Sequence, residues 1–545
     1  MTISVINVFD LKDVMTKENH HNMRFLIVDN IKPSQEILKQ FVMRSTSKHV
    51  DSTHYAQDVA SICQKKAYDV ILLGYDLGEN QKNGQQILEE LRVNGYIKRQ
   101  CVVILITAEV SQSMVLAALE HKPDHYLCKP YSLNDLEKRL NYCLYKKNSM
   151  KAIYQALDDK DPDLVIAHCK QALAVKTPFE TECLGIISRQ YFELQRYNEA
   201  KAIYLAHQNS ANCQWATIGL GKVALNENRL NQAEKLFKLL IKEYPLYLSS
   251  YDWLAVTYEE QFHYLLAEEI LENALQLSPR SLTRLKKYAN LCVHNEHFDK
   301  ATLAYEKNYE FSQNSIHHCA NNTIKYVNAV IELSPSLSPV DSKKTNNKAF
   351  TFLKQMTRDF KSKDIKIHSH FLGACLFEIG KEHKLALEEI IKGEKLLTSE
   401  QDNIPHVKLL GISDTLKKLN RDKLAKQILI TNEENIESTE SVPGLSLKDK
   451  AQAEIQLGLS LYTQKKYREA IIQLQTASTR YPKHIGIKLN LIQVLIVSFQ
   501  NSKLSIDDLN KAKILLLDLA QSNLSDNEQE RLKKIQKKYQ RVAGI

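Results

Sequence analysis

The stretch Tyr68-Asp69-Val70-Ile71-Leu72-Leu73-Gly74-Tyr75-Asp76-Leu77-Gly78 decides how the first quarter of this 545-residue chain is read. Residues 70 to 73 are a short apolar run bounded by turn signals, the pattern of a strand buried on both faces of a parallel sheet. Working outward, further apolar runs occur at Phe25 to Val28, Val102 to Ile106 and Tyr126 to Cys128, with a weaker candidate near His49 to His54. Helical patterns such as Gln86 to Leu91 lie between them. Strands alternating with helices imply a parallel sheet covered on both faces. Five such units predict the flavodoxin-like strand order, with a site at the carboxyl ends of strands one and three.

The residues at those ends carry a family resemblance. Asp29 and Asn30 follow the first strand, Gly74 ends the third, Thr107 and Ala108 follow the fourth, and Lys129-Pro130 follows the fifth. In this order and spacing, over roughly 125 residues, the region resembles a bacterial response-regulator receiver domain. The resemblance implies an acidic pair where Asp29 and Asn30 stand, and a phosphate-accepting aspartate where Gly74 stands. It also implies a switch aromatic at Tyr126 and a lysine before a cis proline at Lys129-Pro130. The run from Gly78 through Asn83-Gly84 further resembles receivers fused to helical repeats.

Receivers move a phosphoryl group to aspartate with Mg²⁺ neutralising the moving oxygens, and such a hard cation needs oxygen ligands. The family takes carboxylates from the acidic pair and the acceptor, and a backbone carbonyl two residues past the acceptor, here Asp76. Only Asp29 survives among the clustered carboxylates. The expectation is a domain that has lost phosphorylation and takes no cofactor, with Lys129 leaning on Asp29 or Asp76. The alternative is a phosphorelay regulator that uses Asp76 as a displaced acceptor, with Asp29 and Asp76 holding Mg²⁺. Residues two apart on a strand share a face about 6–7 Å apart, so that acceptor would be misplaced. Positioning carries much of phosphoryl transfer, which counts against it.

Residues 147–545 read as almost continuous helix. Leu220-Gly221, Leu230, Ala233, Phe237, Leu240 and Pro245 recur as Leu254-Ala255, Tyr264, Ala267, Leu271, Ala274 and Pro279, then as Tyr288-Ala289, Phe298, Ala301 and Tyr305. The period is 34 residues, and this resembles the tetratricopeptide (TPR) repeat. Small residues such as Gly221 let helices approach, Phe237 and Tyr264 fill the gaps, and several repeats must stack to bury their apolar faces. The clearest repeats span 181–315 and 451–484. Loops are expected near 334–347 and 431–448 from their Ser, Pro and Gly content. Residues 348–430 are helical with a poor repeat match, and the tail from Asp507 to Val542 is helical and lysine-rich.

The expected architecture is therefore an extension over 1–22, a receiver-like α/β domain over 23–146, and an all-α superhelical solenoid over 147–545. The first helices of the repeats should line a concave groove, where Thr217, Lys222, Asn226, Asp252, Glu259 and Lys287 are candidates for reading a protein or an extended peptide. A signalling kinase or a second regulator is a candidate partner, and the oligomeric state is left open. The hydrophobic share of 43% and charged share of 25% suit a soluble globular protein. No stretch approaches 18 apolar residues, so no membrane insertion is expected. Ten cysteines without a CxxC pair suit a reducing cytoplasm. A net charge of +9 spread over the chain does not call for nucleic acid, unless Lys533, Lys534, Lys537 and Lys538 share one face. No glycine-rich phosphate loop, HExxH or serine elbow is present, so no enzyme is expected. His317-His318-Cys319 and His368-Ser369-His370 are read as surface or packing residues rather than metal ligands.

Overall fold

The computed structural model describes residues 22–543 apart from 45–48, 80, 110, 113–115, 117–119, 121, 211–212, 262, 401–403, 438–446, 464–465, 481–484, 503–510, 514, 517–518 and 520–525. The predicted extension over 1–22 thus lies almost wholly outside the described residues. The chain divides into two compact units, Met1–Asn432 and Glu433–Ile545.

The first unit opens with five strands: β1 (Arg24–Val28), β2 (His49–Thr53), β3 (Val70–Gly74), β4 (Val102–Thr107) and β5 (His125–Cys128). All pair in parallel, in the order β2-β1-β3-β4-β5. Every residue of β3 and β4 is buried, which explains their unbroken apolar runs. Helices α1 (Lys32–Arg44), α2 (Asp58–Lys65), α3 (Gly84–Val93) and α4 (Leu133–Ser149) cover the sheet. Leu26, Ile71 and Val103 pack to one side of it, and Phe25, Leu72 and Ile104 to the other.

The boundary expected at 146 needs correction. Helix α4 runs on to Ser149, and Met150 is both its C-cap and the N-cap of α5 (Lys151–Asp158). Buried Lys147 pairs with Asp124 at 2.8 Å. It also donates to the Arg99 carbonyl and lies 5.0 Å from the ring of Tyr154. The receiver and the first helical pair therefore share a side chain.

Ten helices follow: α6 (Pro162–Ala174), α7 (Glu180–Glu193), α8 (Tyr197–His207), α9 (Gln214–Asn226), α10 (Leu230–Glu243), α11 (Leu248–Glu260), α12 (Tyr264–Leu277), α13 (Leu282–His294), α14 (Phe298–Ser312) and α15 (Ala320–Leu333). Helices α7, α9, α11 and α13 begin at 180, 214, 248 and 282, a spacing of 34. Within a pair, Gly221 of α9 faces Phe237 of α10 so closely that a Cβ at 221 would lie 2.3 Å from the ring. Four of the turns between paired helices hold one left-handed residue each among the described residues: Lys160, Gln195, Asn228 and Glu296 at φ of 56° to 64°.

Two expected loops are corrected. Ser334–Ser336 is a short 3-10 turn and Pro339–Asp359 is a helix, α16. Ser338 caps it by accepting from the Asp341 amide at 3.2 Å, with Pro339 in the first turn, so the Ser/Pro composition marked a helix start rather than a linker. In the second loop, α20 (Asp422–Glu437) and the next helix from Leu447 leave only 438–446, which lie outside the described residues. Between them run α17 (Lys363–Ile379), α18 (His383–Glu400) and α19 (His406–Lys418). Lys381 and Asn420 repeat the left-handed turn of the earlier pairs. Here the small and large partners are exchanged, Gly393 of the second helix receiving Phe371 of the first, and this hides the repeat pattern.

The second unit contains α21 (Leu447–Thr463), α22 (Tyr467–Arg480), α23 (Ile485–Ser502) and α24 (Asp526–Ala543). Gly458 meets Leu474 as Gly221 meets Phe237. On α24, Leu532, Ile535 and Tyr539 are buried while Lys533, Lys534, Lys537 and Lys538 share the exposed face. Among the described residues no helix is long and apolar enough to cross a membrane.

Candidate functional site

The carboxyl ends of β1, β3, β4 and β5 converge as predicted. Asp29 follows β1 and is 2% exposed. Its Oδ1 accepts from the Ile31 amide at 2.9 Å, and its Oδ2 accepts from Ser34 Oγ at 2.7 Å and Lys129 Nζ at 3.0 Å. Lys129 Nζ also donates to Ser34 Oγ at 3.0 Å. Of the two expected partners for Lys129, the structure selects Asp29. Buried Gln35 braces the turn by donating to the Thr53 carbonyl at 3.0 Å. Ser34 and Gln35 sit in the first turn of α1, and sequence spacing had not marked them.

Gly74 ends β3 fully buried. A Cβ there would sit 3.0 Å from the Val28 carbonyl and 3.2 Å from Leu77 Cδ2. Just beyond, the Gly84 amide donates to the Tyr75 carbonyl at 2.8 Å. A Cβ at 84 would lie 2.4 Å from the Gly74 carbonyl, so only glycine lets α3 begin this close to the strand end. Asn83 caps that helix through a reciprocal capping box with Gln86.

Asp76 is exposed, and its Oδ1 accepts from the amide of Gly78, whose φ is +111°. Asn30 is exposed and uncharged. Thr107 is buried, with Oγ1 accepting from the Glu109 amide at 3.0 Å. Tyr126 turns its hydroxyl to the Glu109 carbonyl at 3.1 Å, and burial pushes its phenol up to about 12. The Lys129-Pro130 peptide bond is cis. This donor set offers one buried carboxylate, both of whose oxygens are engaged, and one turned into a tight turn. Among the described residues no group of three or more His, Cys, Asp or Glu is placed to hold a metal.

Of the groove candidates, Thr217 and Asp252 are corrected. Thr217 is buried and donates to the Cys213 carbonyl of its own helix. Asp252 is spent on Arg284, which grips both its oxygens at 2.8 and 2.9 Å and also reaches Glu120 of the receiver at 3.1 Å. Lys222 lies over the Trp253 ring at 4.4 Å. Exposed Asn226 accepts from the Tyr197 hydroxyl at 3.3 Å. Burial raises the Glu259 carboxyl, against the pull of Lys287. The histidine clusters are divided among separate partners: His317 meets Glu89, His318 meets Asp359, His368 meets Thr415 and His370 meets Glu389.

Residues 25–141 match the family model of the response regulator receiver domain. A two-component response regulator from Clostridium difficile is 23% identical, the match covering 23% of this chain and 99% of that one, with a TM-score of 0.21. A CheY-like receiver domain protein from Methanospirillum hungatei is 20% identical over 23% of this chain and 96% of that one, also with a TM-score of 0.21. The chain thus carries a response regulator receiver domain, which implies two-component signal transduction, followed by a largely helical region.

Proposed function

We propose that this protein is a non-enzymatic signal-transduction adaptor of the cytoplasm. A receiver that accepts no phosphate is joined to a TPR-type platform that binds a partner protein or an extended peptide. The observation that carries the reading is Gly74 at the acceptor position, beside an Asp29 whose carboxylate is held by Lys129 and Ser34. The nucleophile is missing, and the remaining carboxylate is neutralised by an ammonium rather than open to a divalent cation. The residues present do not fit Mg²⁺. The TPR reading is supported by helix starts 34 residues apart and by the Gly221–Phe237 contact.

Incubation of the intact protein with acetyl phosphate and Mg²⁺, read by intact mass, tests this. No gain of a phosphoryl group is expected. An acid-labile phosphate lost in Asp76→Asn would replace this reading with the displaced acceptor. A kinase or another regulator is the partner class that fits an adaptor of this kind.

A further inference from the structure

At Gly221, Gly393 and Gly458 the space a side chain would take is filled by a neighbour, respectively Phe237, Phe371 and Leu474. Gly373, in the middle of α17, differs. It is buried, yet a Cβ placed there would meet nothing nearer than Phe350 Cε1 at 3.8 Å. Glycine is a poorer helix former than alanine, and here no side chain of the chain uses the room it leaves. That room belongs to a cavity of about 530 Å³ bounded by α16, α17 and α18, wholly inside the first unit. One wall is aromatic: Phe350 and Phe377 pack with ring centroids 4.6 Å apart, and Phe360 adds to them. The rest is cationic. Lys354, Lys361 and Lys366 line the cavity and are exposed. None of the three forms an ion pair among the described residues, because the carboxylates nearby are held by other cations. Asp359 meets His318 at 3.1 Å and Asp364 meets Lys408 at 2.7 Å. Glu389, the one carboxylate in the lining among the described residues, meets His370 at 2.6 Å and Lys392 at 2.7 Å.

We infer that this cavity docks an acidic segment of a partner protein that carries one apolar anchor side chain. The anchor enters over Gly373 against Phe350 and Phe377, and carboxylates on either side of it meet Lys354, Lys361 and Lys366. Charge complementarity selects the occupant, since three unpaired ammonium groups stand against a single carboxylate that His370 and Lys392 already neutralise. The volume is that of pockets that seat one or two side chains through apolar walls and a few polar groups. Lysines on flexible stems can follow carboxylates without a fixed fork geometry. A nucleic acid strand calls for a track of cations longer than one pocket. None of the groove candidates Lys222, Asn226, Glu259 and Lys287 lines this cavity, and two of its walls, α16 and α18, are the second helices of their pairs. The inference rests on the partner-binding part of the adaptor reading and names the site and the partner's chemistry.

The test uses the full chain and a fluorescein-labelled peptide of glutamates around a central leucine, followed by anisotropy at low salt. Gly373→Leu fills the empty room and should weaken binding at least about tenfold, with a melting temperature unchanged or raised because leucine favours the helix. Lys361→Glu with Lys366→Glu, at exposed positions that the fold does not depend on, should weaken it by at least as much. A peptide with serine in place of the leucine should bind about fivefold less tightly to wild type. Absence of binding by wild type, undiminished binding by the lysine double variant, or equal binding of the serine peptide overturns the inference. So does preference for a single-stranded oligonucleotide over the peptide. Binding that survives in these variants but falls in Lys222→Glu with Lys287→Glu would place the partner in the groove, keeping the adaptor reading while removing this site. All of these readouts stand whether or not the receiver takes phosphate.

Discussion

Lys129 Nζ stands 3.0 Å from Asp29 Oδ2, with the Ser34 hydroxyl bonded to both. A lysine that the receiver family turns toward its acceptor has become the counter-ion of a buried carboxylate. The first consequence is thermodynamic. Removing one partner of a buried pair leaves an uncompensated charge, so Lys129→Ala should cost about 3 kcal/mol. Asp29→Asn in the same chain should restore at least half of that. Urea unfolding of the four members of the cycle measures it. A loss for Lys129→Ala below about 0.5 kcal/mol would mean the pair is incidental.

Restoring phosphate chemistry should need both Gly74→Asp and Asn30→Asp. The new Cβ meets the Val28 carbonyl and Leu77, so a modest loss of about 1–3 kcal/mol is expected for Gly74→Asp. Alone, that variant should gain no mass from acetyl phosphate, because the uncharged Asn30 still leaves the metal without its second carboxylate. The double variant should gain one phosphoryl group with Mg²⁺. Phosphorylation of the single variant would show that the acidic pair is dispensable.

His368 sets an acid limit on the helical region. It is buried between α17 and α19, with Nε2 at 2.9 Å from Thr415 Oγ1. Burial pushes the imidazole down to about 4, against the opposing charges of Asp364 and Asp414. Its folded pKa is depressed, so the unfolded chain binds the extra proton first. Its stability contribution is complete above about 6.5 and is lost as pH falls toward 4, by about 3 kcal/mol in all. Hydrogen exchange of α17 and α19 should accelerate across that window in wild type and much less in His368→Gln. Parallel slopes would remove His368 from the account.

Gly221→Ala should destabilise by about 1–3 kcal/mol, because the methyl group would overlap the Phe237 ring. Phe237→Leu should relieve part of that cost when combined with it, giving a favourable coupling between two positions on different helices. Thermal melts of the single and double variants measure the coupling, and strict additivity would contradict the close packing described.

Four of the strands were legible because apolar runs of three to five residues ended by turns have few other solutions, and the sheet order followed from their alternation with helices. Gly74, Asp29 and Lys129 were legible because strand ends converge whatever lies between them. What escaped were relationships without a local signal. Ser34 and Gln35 needed the turn after β1 to be seen, and the Arg284–Glu120 contact joins residues 164 apart. Helix α16 was misread because Ser-Pro marks both linkers and helix starts. The pair α17–α18 was obscured because Gly393 and Phe371 exchange roles between its two helices.

Lys147 also limits how the molecule can be taken apart. A fragment stopping at 146 would strip Asp124 of its ammonium and the Arg99 carbonyl of its donor, and would leave Tyr142 without Phe179. The smallest fragment that keeps these contacts therefore extends to Phe179 at the start of α7, beyond the 25–141 span that matches the family model. Any transplant of this receiver onto another output must carry those first helices with it.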